Sequence, residues 1–288
     1  MAVSTTTTLA GIIPELVGEV IYQLNQTVGI LDCVRWVDTK GQPGVSYDFP
    51  VFSAVTSSSV YAKTEGTDYT TWVTTTNTAV TATVTEHTIP VFVTDLAIMG
   101  VQGDLISMLS QLCVNAIRSK LESDIVALFS GFTNAVAGAA TALTIADITD
   151  AMRYLKDNNA NMNNLVMVIS PKQFYGVAGA KGVAPLLKSD NVDAGSLGEE
   201  MKQKGFVVAP MGIPCLVSNE IDENVASGGD ALGCIMDRGA LGLHSKGLVN
   251  IELQRDASNL GTELICSGLW NEVELVDGWG VEWLSDVA

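Results

Sequence analysis

The two histidines of the chain, His87 and His244, are the side chains best suited to bind a metal or to transfer protons. Neither has a His, Cys, Asp or Glu three or four residues away, the spacing that places two ligands on one face of a helix. A zinc site needs three or four such ligands. The spacing therefore favours histidines that are exposed, or hydrogen-bonded in the core, over a metal site.

Motifs for covalent or phosphate chemistry are also missing from the sequence. The chain has no G-x-S-x-G, the motif that presents a serine nucleophile in many hydrolases. Residues 176–181 resemble a phosphate-binding loop, but the spacing differs, and Gly182 stands where that loop requires Ser or Thr. Glu199 and Glu200 are adjacent on a predicted helix and point apart, which suits solvation better than acid–base catalysis. We predict that the chain is not an enzyme and binds no metal or cofactor.

The net charge limits the partners that the chain can have. Its 15 Lys and Arg residues are outnumbered by 32 Asp and Glu residues, so the formal charge is −17. Nucleic acids and anionic membranes both attract cationic surfaces, and neither suits this protein as a broad binding partner. Residues 125–146 carry no charge, but their Ser, Thr, Asn and Gly residues argue against a membrane span.

The composition indicates extensive contact with other protein. Charged residues make up only 16% of the chain, whereas soluble domains average about 25%. The mean hydropathy is +0.30. With no membrane span predicted, a surface this poor in charge favours burial against other polypeptides.

The cysteines are odd in number and include no C-x-x-C pair. The amino terminus lacks the basic residues of a secretion signal. We therefore expect buried, reduced thiols in a protein of the cytoplasm. The five residues are Cys33, Cys113, Cys215, Cys234 and Cys266.

An amino-terminal arm is predicted from residue 1 to residue 33. A threonine run is followed by a short amphipathic helix, in which Pro14 suits the first position and Val17 and Ile21 lie on the apolar stripe. A helix this short cannot bury its stripe on itself. It needs another surface, either of its own domain or of a neighbouring molecule.

A long hairpin is predicted within residues 45–93. Residues 64–88 contain twelve threonines, and Val80, Ala82 and Val84 alternate with three of them. Bulky side chains are few, too few to form a core of their own. The hairpin either projects onto another surface or packs as an ordinary edge hairpin on its own domain.

The strongest helix pattern begins at Asp104, a good N-cap, and is predicted to end at Ser130, with Gly131 as the C′ residue. Leu109 and Leu112 belong to its predicted buried stripe, together with Leu105 and Ala116. Six further apolar residues widen this stripe: Ile106, Cys113, Ile117, Leu121, Ile125 and Leu128. Short helices and strands alternate after it, and the chain ends in a run of strands. This order indicates an α+β fold.

Five segments of the second half each combine a short apolar strand with a turn: 165–174, 212–219, 238–243, 255–257 and 274–281. In this succession they resemble the second half of a tailed-bacteriophage major capsid protein. Residues 61–66 resemble part of the extended loop of that family, and the helix at Asp104 lies where its spine helix would. No single motif is specific, so the resemblance rests on their order.

The resemblance implies the α+β fold called the Hong Kong 97-type capsid fold. Its parts would be the N-terminal arm (1–33), a peripheral domain (34–141) with the extended hairpin loop (about 45–93) and the spine helix (104–130), and an axial domain (142–248). The C-terminal strands (249–288) would return to the peripheral domain.

The resemblance also implies a function. Such subunits assemble into pentamers and hexamers of an icosahedral shell around packaged double-stranded DNA, which they enclose without sequence-specific binding and without a membrane. The protein would occupy the host cytoplasm before assembly and the virion capsid afterwards. Because the arm begins within a dozen residues of Met1, we expect a separate scaffolding protein, together with a portal and room for a decoration protein.

Contacts between subunits are expected from apolar residues of the arm and from bulky or charged residues of the loop. These candidates are Val17, Ile21, Tyr61, Lys63, Glu65, Tyr69 and Trp72. Three other functions stay open: an encapsulin-like shell protein of a cellular nanocompartment, which shares the fold, a threonine-rich surface protein, and an enzyme. Cargo enzymes instead of DNA inside purified particles would favour the first of these.

Overall fold

The computed structural model describes residues 29–53, 55–70, 72–100, 104–138, 145–175, 213–225 and 229–287. The helices within these residues are α1 (Asp95–Met99), α2 (Leu105–Ala127), α3 (Ile145–Asp157) and α4 (Pro171–Tyr175). The strands are β1 (Arg35–Asp38), β2 (Ser46–Phe52), β3 (Asn77–Thr83), β4 (Thr85–Thr94), β5 (Ala135–Ala137), β6 (Leu165–Ile169), β7 (Cys215–Val217), β8 (Asp230–Asp237), β9 (Leu241–Ser245), β10 (Asn250–Asp256), β11 (Gly261–Glu274) and β12 (Gly280–Asp286).

The first sheet is organised around β11. The first half of this long strand pairs antiparallel with β10 on one side and with β4 on the other. Its last residues pair with β9, and β1 adds a parallel strand beyond β9. Strand β10 therefore lies at an edge of this sheet.

The second sheet has the order β5-β12-β8-β6-β7. Its strand β6 consists of five apolar residues, Leu165–Ile169, all of them buried. A continuous apolar run of this kind is typical of a strand covered on both faces. The sheets and helices together form the α+β arrangement that the sequence predicts.

Helix α2 joins the two sheets through one cluster of buried side chains. Ile117 and Leu121 of the helix pack in this cluster with Trp270 of β11 and with Val168 of β6. A second cluster lies on the other face of the second sheet, where α3 covers β6 and β8. The long helix is thus the common support of both sheets.

The buried stripe of α2 agrees with only part of the predicted one. Leu105 is buried, and so are Cys113, Ile117, Leu121 and Ile125, which the prediction placed at the widened side of the stripe. Leu112 is 39% exposed and Ala116 is exposed, so this part of the prediction is wrong. The apolar residues surround much of the helix, so the period alone does not select one face. The contacts with β11 decide which face is covered.

The two ends of α2 also test the predicted caps. Asp104 is the N-cap, and its carboxylate accepts a hydrogen bond from the Ser107 N–H at 3.2 Å, as predicted. The α-helical bonding stops at Ala127, and a single 3-10 turn (Leu128–Gly131) follows. Gly131 lies within that turn and does not have a positive φ, so its predicted role as a C′ residue is wrong.

The predicted hairpin is confirmed in strands β2 and β3, which pair antiparallel from Ser46↔Thr83 to Phe52↔Asn77. The threonine-rich pattern does not continue as one strand, because Val84 separates β3 from β4. The Val84 N–H still donates to the Val45 carbonyl at 3.0 Å, which extends the pairing of the hairpin by one residue. After Val84 the chain leaves the hairpin, and β4 joins the first sheet. Residues 46–83 therefore form a two-stranded unit of their own.

Strand β11 is longer than the sequence predicts. The pattern indicates two strands, 263–267 and 271–276, with a break around Gly268. The strand runs through this glycine without interruption. A Cβ atom at Gly268 would lie 2.4 Å from the Leu248 carbonyl oxygen, so glycine serves a close backbone approach here.

Candidate assembly surface

The register of β2 and β3 places residues 53–76 at the end of the hairpin farthest from the two sheets. We call this segment the hairpin tip. Its central turn includes Glu65 and Gly66, and Gly66 has φ +79°, a conformation that favours glycine. The Thr67 hydroxyl closes the turn by donating to the Thr64 carbonyl at 2.7 Å.

The predicted contact residues of the loop gather on the hairpin tip. The Lys63 ammonium nitrogen lies 4.3 Å from the centre of the Tyr69 ring, a cation–π geometry. The Tyr69 and Trp72 ring centres are 6.2 Å apart. Tyr61, Glu65 and both of these rings are exposed, and Trp72 is 81% exposed. The arm candidates Val17 and Ile21 lie outside the described residues.

A shallow cavity of about 360 Å³ opens between these side chains. Tyr61, Lys63, Asp68 and Tyr69 contribute to its wall, together with threonines of the same turn. Aromatic rings beside one positive and one negative group can accept an apolar side chain with a polar end. The residues that line the cavity include neither a His nor a Cys.

Further apolar residues on the hairpin were missed by the sequence reasoning. Val60 is 78% exposed, and three others are also solvent-exposed: Phe52, Val55 and Val73. Aliphatic side chains in strand-like segments normally indicate burial. The local pattern does not show whether the same chain or another molecule covers them.

Exposed apolar side chains also occur on the body of the protein, in α1, in β10 and in the turn between β10 and β11. They are Leu96, Met99, Leu253 and Leu260, and we call this set the body patch. Leu260 has φ +48°, which is uncommon for a residue with a bulky side chain. Residues held in uncommon backbone conformations cluster at functional sites.

An ion pair fixes the geometry of the body patch. The Arg255 guanidinium donates to both carboxylate oxygens of Asp95, at 2.5 and 2.8 Å. Its hydrogen bond holds the pKa of the Asp95 carboxyl below the usual value. The Asp95 N–H also donates to the Leu260 carbonyl at 2.9 Å, so α1 and the turn are held together.

The residues with potential chemistry lie elsewhere and are used for structure. His244 is buried and hydrogen-bonded, and His87 stacks on the Trp270 ring with their centres 4.0 Å apart. In the described ranges no three His, Cys, Asp or Glu side chains are grouped as a metal site requires.

The five cysteines are buried and free, as the sequence predicts. Burial raises the pKa of the Cys33 thiol to about 11 and that of Cys215 to about 12. Thiolate is the reactive form of cysteine, so these side chains are inert near neutral pH. Within the part of the chain that the structure describes, no helix is both long and apolar enough to cross a membrane.

Comparisons with known proteins were made with the sequence and with the structure. No protein-family model matches the chain, and no curated protein does. The structure is similar to that of the capsid of the cyanophage P-SCSP1u, with a TM-score of 0.69 and 16% identity over 94% of this chain and 91% of that chain. It is similar to a structure from Mycobacterium phage Che8, with a TM-score of 0.68 and 16% identity over 94% of this chain and 96% of that chain.

A third similar structure is the capsid of a native GTA particle, with a TM-score of 0.62 and 13% identity. The match covers 99% of this chain and 100% of that chain, so the likeness includes the hairpin as well as both sheets. At these identities the common property is the fold. The chain has the fold of phage capsid proteins, the Hong Kong 97-type fold that its sequence predicts.

Proposed function

We propose that this chain is a major capsid protein that assembles with copies of itself into the pentamers and hexamers of an icosahedral shell around double-stranded DNA. The observation that carries the proposal is the hairpin, which extends an exposed apolar tip from a body with a capsid fold. Its role would be structural, in the virion, with the host cytoplasm as the place of synthesis.

The hairpin supports the proposal of self-assembly, because it buries too few of its own side chains to be stable by itself. Among its described residues only Phe49 and Ala82 are buried, and both lie near the base. An isolated two-stranded hairpin is at best marginally stable in water. Contact with another copy would bury Val60, Tyr69 and Trp72 and remove this deficit.

The body patch is the surface that we propose receives the hairpin tip of the next copy. Both surfaces are apolar, but they lie on different parts of the chain. A contact between two different surfaces is heterologous, and repetition of such a contact generates rings when the rotation closes. Pentamers and hexamers are rings of this type.

The remaining assignments follow the same proposal. The first sheet and α2 would form the peripheral domain, and the second sheet the axial domain. Since β12 pairs with β8, the last strand would then belong to the axial sheet, while β10 and β11 return to the peripheral sheet. Residues 1–33 would act as the arm, with Val17 and Ile21 in contact with a neighbour.

The charge of the chain suits a container for DNA. A net charge of −17 disfavours tight binding of the packaged phosphates, which would hinder their release. The shell would enclose DNA without reading its sequence. A separate scaffolding protein, a portal and a decoration protein are the further partners expected of such a shell.

The test is particle formation by the purified protein, with and without its hairpin tip. In the deletion variant, residues 53–76 are replaced by Asn-Gly, a turn that suits two adjacent antiparallel strands. We expect closed particles or rings of the full chain by negative-stain electron microscopy, alone or with a coexpressed scaffolding protein. We expect the deletion variant to stay a folded subunit that forms neither.

A point variant provides the matched control. Trp72→Ala removes a large exposed ring and should reduce particle yield, whereas Thr74→Ala changes an exposed residue of the same segment and should not. A full-length protein that stays monomeric at high concentration with scaffold present would contradict the proposal, as would normal particles from the deletion variant. Particles that hold a cargo enzyme instead of DNA would support the nanocompartment alternative.

A further inference from the structure

The hairpin meets the body at a buried histidine. His244 on β9 is only 1% exposed. Its ring nitrogens reach two other segments: Nδ1 lies 3.1 Å from the Ala82 carbonyl oxygen of β3, and Nε2 lies 2.8 Å from the Thr39 hydroxyl, just after β1. The Tyr47 ring of β2 lies beside it, with the ring centres 5.6 Å apart. One side chain thus contacts both strands of the hairpin.

The partners of His244 determine its tautomer. A carbonyl oxygen can only accept, so Nδ1 carries the proton and donates to Ala82. In the neutral ring Nε2 then accepts from the Thr39 hydroxyl. Both nitrogens are satisfied, and the ring has one orientation in which this is possible. The bond to Ala82 is the direct polar link from the ring to a hairpin strand.

Lys246, two residues further on, holds the entry to the hairpin. Its ammonium group donates to the carbonyls of Gln42, at 2.6 Å, and of Gly44. These carbonyls belong to the turn that connects β1 to β2, in which Gly44 has φ +92°. His244 therefore binds the strand that leaves the hairpin, and Lys246 binds the turn that enters it.

The hydrogen bond between His244 and Ala82 lies at the base of the hairpin, so a small change of angle there displaces the hairpin tip. Ala82 pairs with Tyr47 near the base, and the paired strands continue for five further residues on each side, to Phe52 and Asn77. At about 3.3 Å per residue, the start of the tip lies roughly 17 Å from the pair of Ala82 and Tyr47. A rotation of ten degrees at the base therefore moves the tip by about 3 Å, which is enough to misplace an interface.

We propose that His244 is a positioning residue, which sets the angle of the hairpin through its hydrogen bond to the Ala82 carbonyl so that the tip meets the next copy. This inference rests on the proposed function, because the angle matters only if the tip docks. Thr39 orients the ring, and Lys246 fixes the entering turn. Burial of Ala82 against Phe49 and Leu275 keeps water away from the bond.

Two amide substitutions separate the two bonds of the ring. His244→Asn places an amide nitrogen where Nδ1 was and keeps a donor for Ala82, whereas His244→Gln places its amide near Nε2 and keeps only a partner for Thr39. His244→Ala removes both. His87→Ala is the matched control, since it removes the other histidine, whose ring stacks on Trp270 and hydrogen-bonds to the Thr85 hydroxyl of β4.

The hairpin angle is measured in the subunit before any assembly. Spin labels on Thr75→Cys in the tip and Ala257→Cys in the β10–β11 turn report the distance between hairpin and body by pulsed electron paramagnetic resonance. Both sites are exposed, while the native cysteines are buried and escape labelling. We expect one narrow distance distribution for the parent, His244→Asn and His87→Ala, and a shifted or broadened one for His244→Gln and His244→Ala.

Particle yield is measured on the same variants without labels. We expect His244→Asn to assemble like the parent, and His244→Gln and His244→Ala to lose particle yield several-fold. If His244→Ala fails to fold, the comparison of His244→Asn with His244→Gln is sufficient to test the inference. Equal distance distributions in all folded variants would overturn the inference, and so would restoration by Gln instead of Asn.

The two proposals fail in different ways. Altered distances in a protein that never assembles would contradict the capsid function and leave His244 as the residue that sets the hairpin angle. Unaltered distances in a protein that assembles normally would contradict only the role of His244.

Discussion

Two tryptophans show how differently the body and the hairpin are stabilised. Trp270 of β11 is completely buried, its ring stacks on His87, and its N–H donates to Asp124 of α2 at 3.3 Å. Trp72 in the hairpin tip has the same side chain, yet most of its surface is exposed and its neighbour is Tyr69. Around Trp270 the body supplies its own contacts, whereas the hairpin tip presents apolar surface for which this chain supplies no cover among the described residues.

The polar contacts differ in the same way. In the body, the buried Gln173 side chain donates to the Ala231 carbonyl at 2.8 Å and to the Ser285 hydroxyl at 2.9 Å. In the hairpin, the cross-strand bonds of Asp48 with Thr81 and of Ser46 with Thr83 are exposed to water. Hydrogen bonds shielded from water are stronger than exposed ones. This difference predicts that the body folds without help from the hairpin, and that the hairpin gains its missing contacts only when it docks.

The largest difference is expected between the two tryptophans themselves. Trp270→Ala should lower the free energy of unfolding by about 3–5 kcal/mol, because it leaves a large cavity between α2 and β11. Trp72→Ala should lower it by less than about 0.5 kcal/mol, since the ring is already in water. Urea unfolding of the unassembled subunit measures both. Equal destabilisation by the two substitutions would mean that the hairpin tip packs on its own body.

A smaller contrast is expected along helix α2. Leu121→Ala should cost about 2–5 kcal/mol, because Leu121 is buried in the cluster that joins both sheets. Leu112→Ala should cost less than about 1 kcal/mol, because that side chain is partly in solvent. The same unfolding experiment distinguishes them. A costly Leu112→Ala substitution would restore the helix face that the sequence pattern predicts.

The exposure of Leu112, which was predicted to be buried, shows what the hydrophobic period of a helix does and does not predict. The hydrophobic period predicts that a long helix begins at Asp104, and the cap confirms that residue. The period cannot select the covered face, because apolar residues occur all around the helix and only the position of β11 decides between them. The fold could be predicted from the order of strands and turns, because that order extends over most of the chain and does not depend on any single motif.

Contacts between distant segments account for most of the remaining misses. Strand β9 was predicted only in part, as the end of segment 238–243. Its five residues include a glycine and a histidine, and it is buried only once β1 and β11 flank it. The link from His244 to Ala82 spans 162 positions, and no local pattern contains it. The exposure of Tyr61, Lys63, Tyr69 and Trp72 was predictable, because too few bulky residues in a long hairpin leave it without a core. Their contact with another copy stays a prediction.

The third prediction concerns how the free energy of unfolding of the body depends on pH, and we expect a modest effect. Glu122 of α2 is 6% exposed, and burial raises the pKa of its carboxyl above 4.5, with a smaller contribution from Glu220 in the same direction and an opposing one from Ser218. A raised pKa means that the folded protein binds this proton more tightly than the unfolded chain does. The stabilisation is present below about pH 4.5 and is lost as the pH rises through the folded value.

Glu122→Gln should therefore be more stable than the parent at pH 7, and its advantage should shrink as the pH falls towards 4.5. Urea midpoints of the unassembled subunit across this range measure the difference. Glu65→Gln removes one negative charge from the exposed hairpin and is the control for net charge. A Glu122→Gln variant with the pH profile of the parent would show that other carboxyl groups dominate.

The smallest effect is expected within the hairpin. Thr81 donates its hydroxyl to the Asp48 carboxylate across the strands at 2.6 Å, and both residues are exposed. Thr81→Val should weaken the strand pairing by about 0.2–1 kcal/mol, the usual range for cross-strand pairs. Because the body does not depend on this bond, we expect faster amide hydrogen exchange in β2 and β3 only, with the global unfolding curve unchanged.

Thr78→Val is the control for this last prediction, since it changes an exposed threonine of the same strand while leaving the bond between Thr81 and Asp48 in place. A local effect confined to the hairpin means that the strands open without the body, as separate folding and docking require. If Thr81→Val instead shifts the global curve by the same free energy, the hairpin and the body unfold as one unit. The exposed tip would then be supported by its own chain, and the strongest reason to expect a second copy on it would be gone.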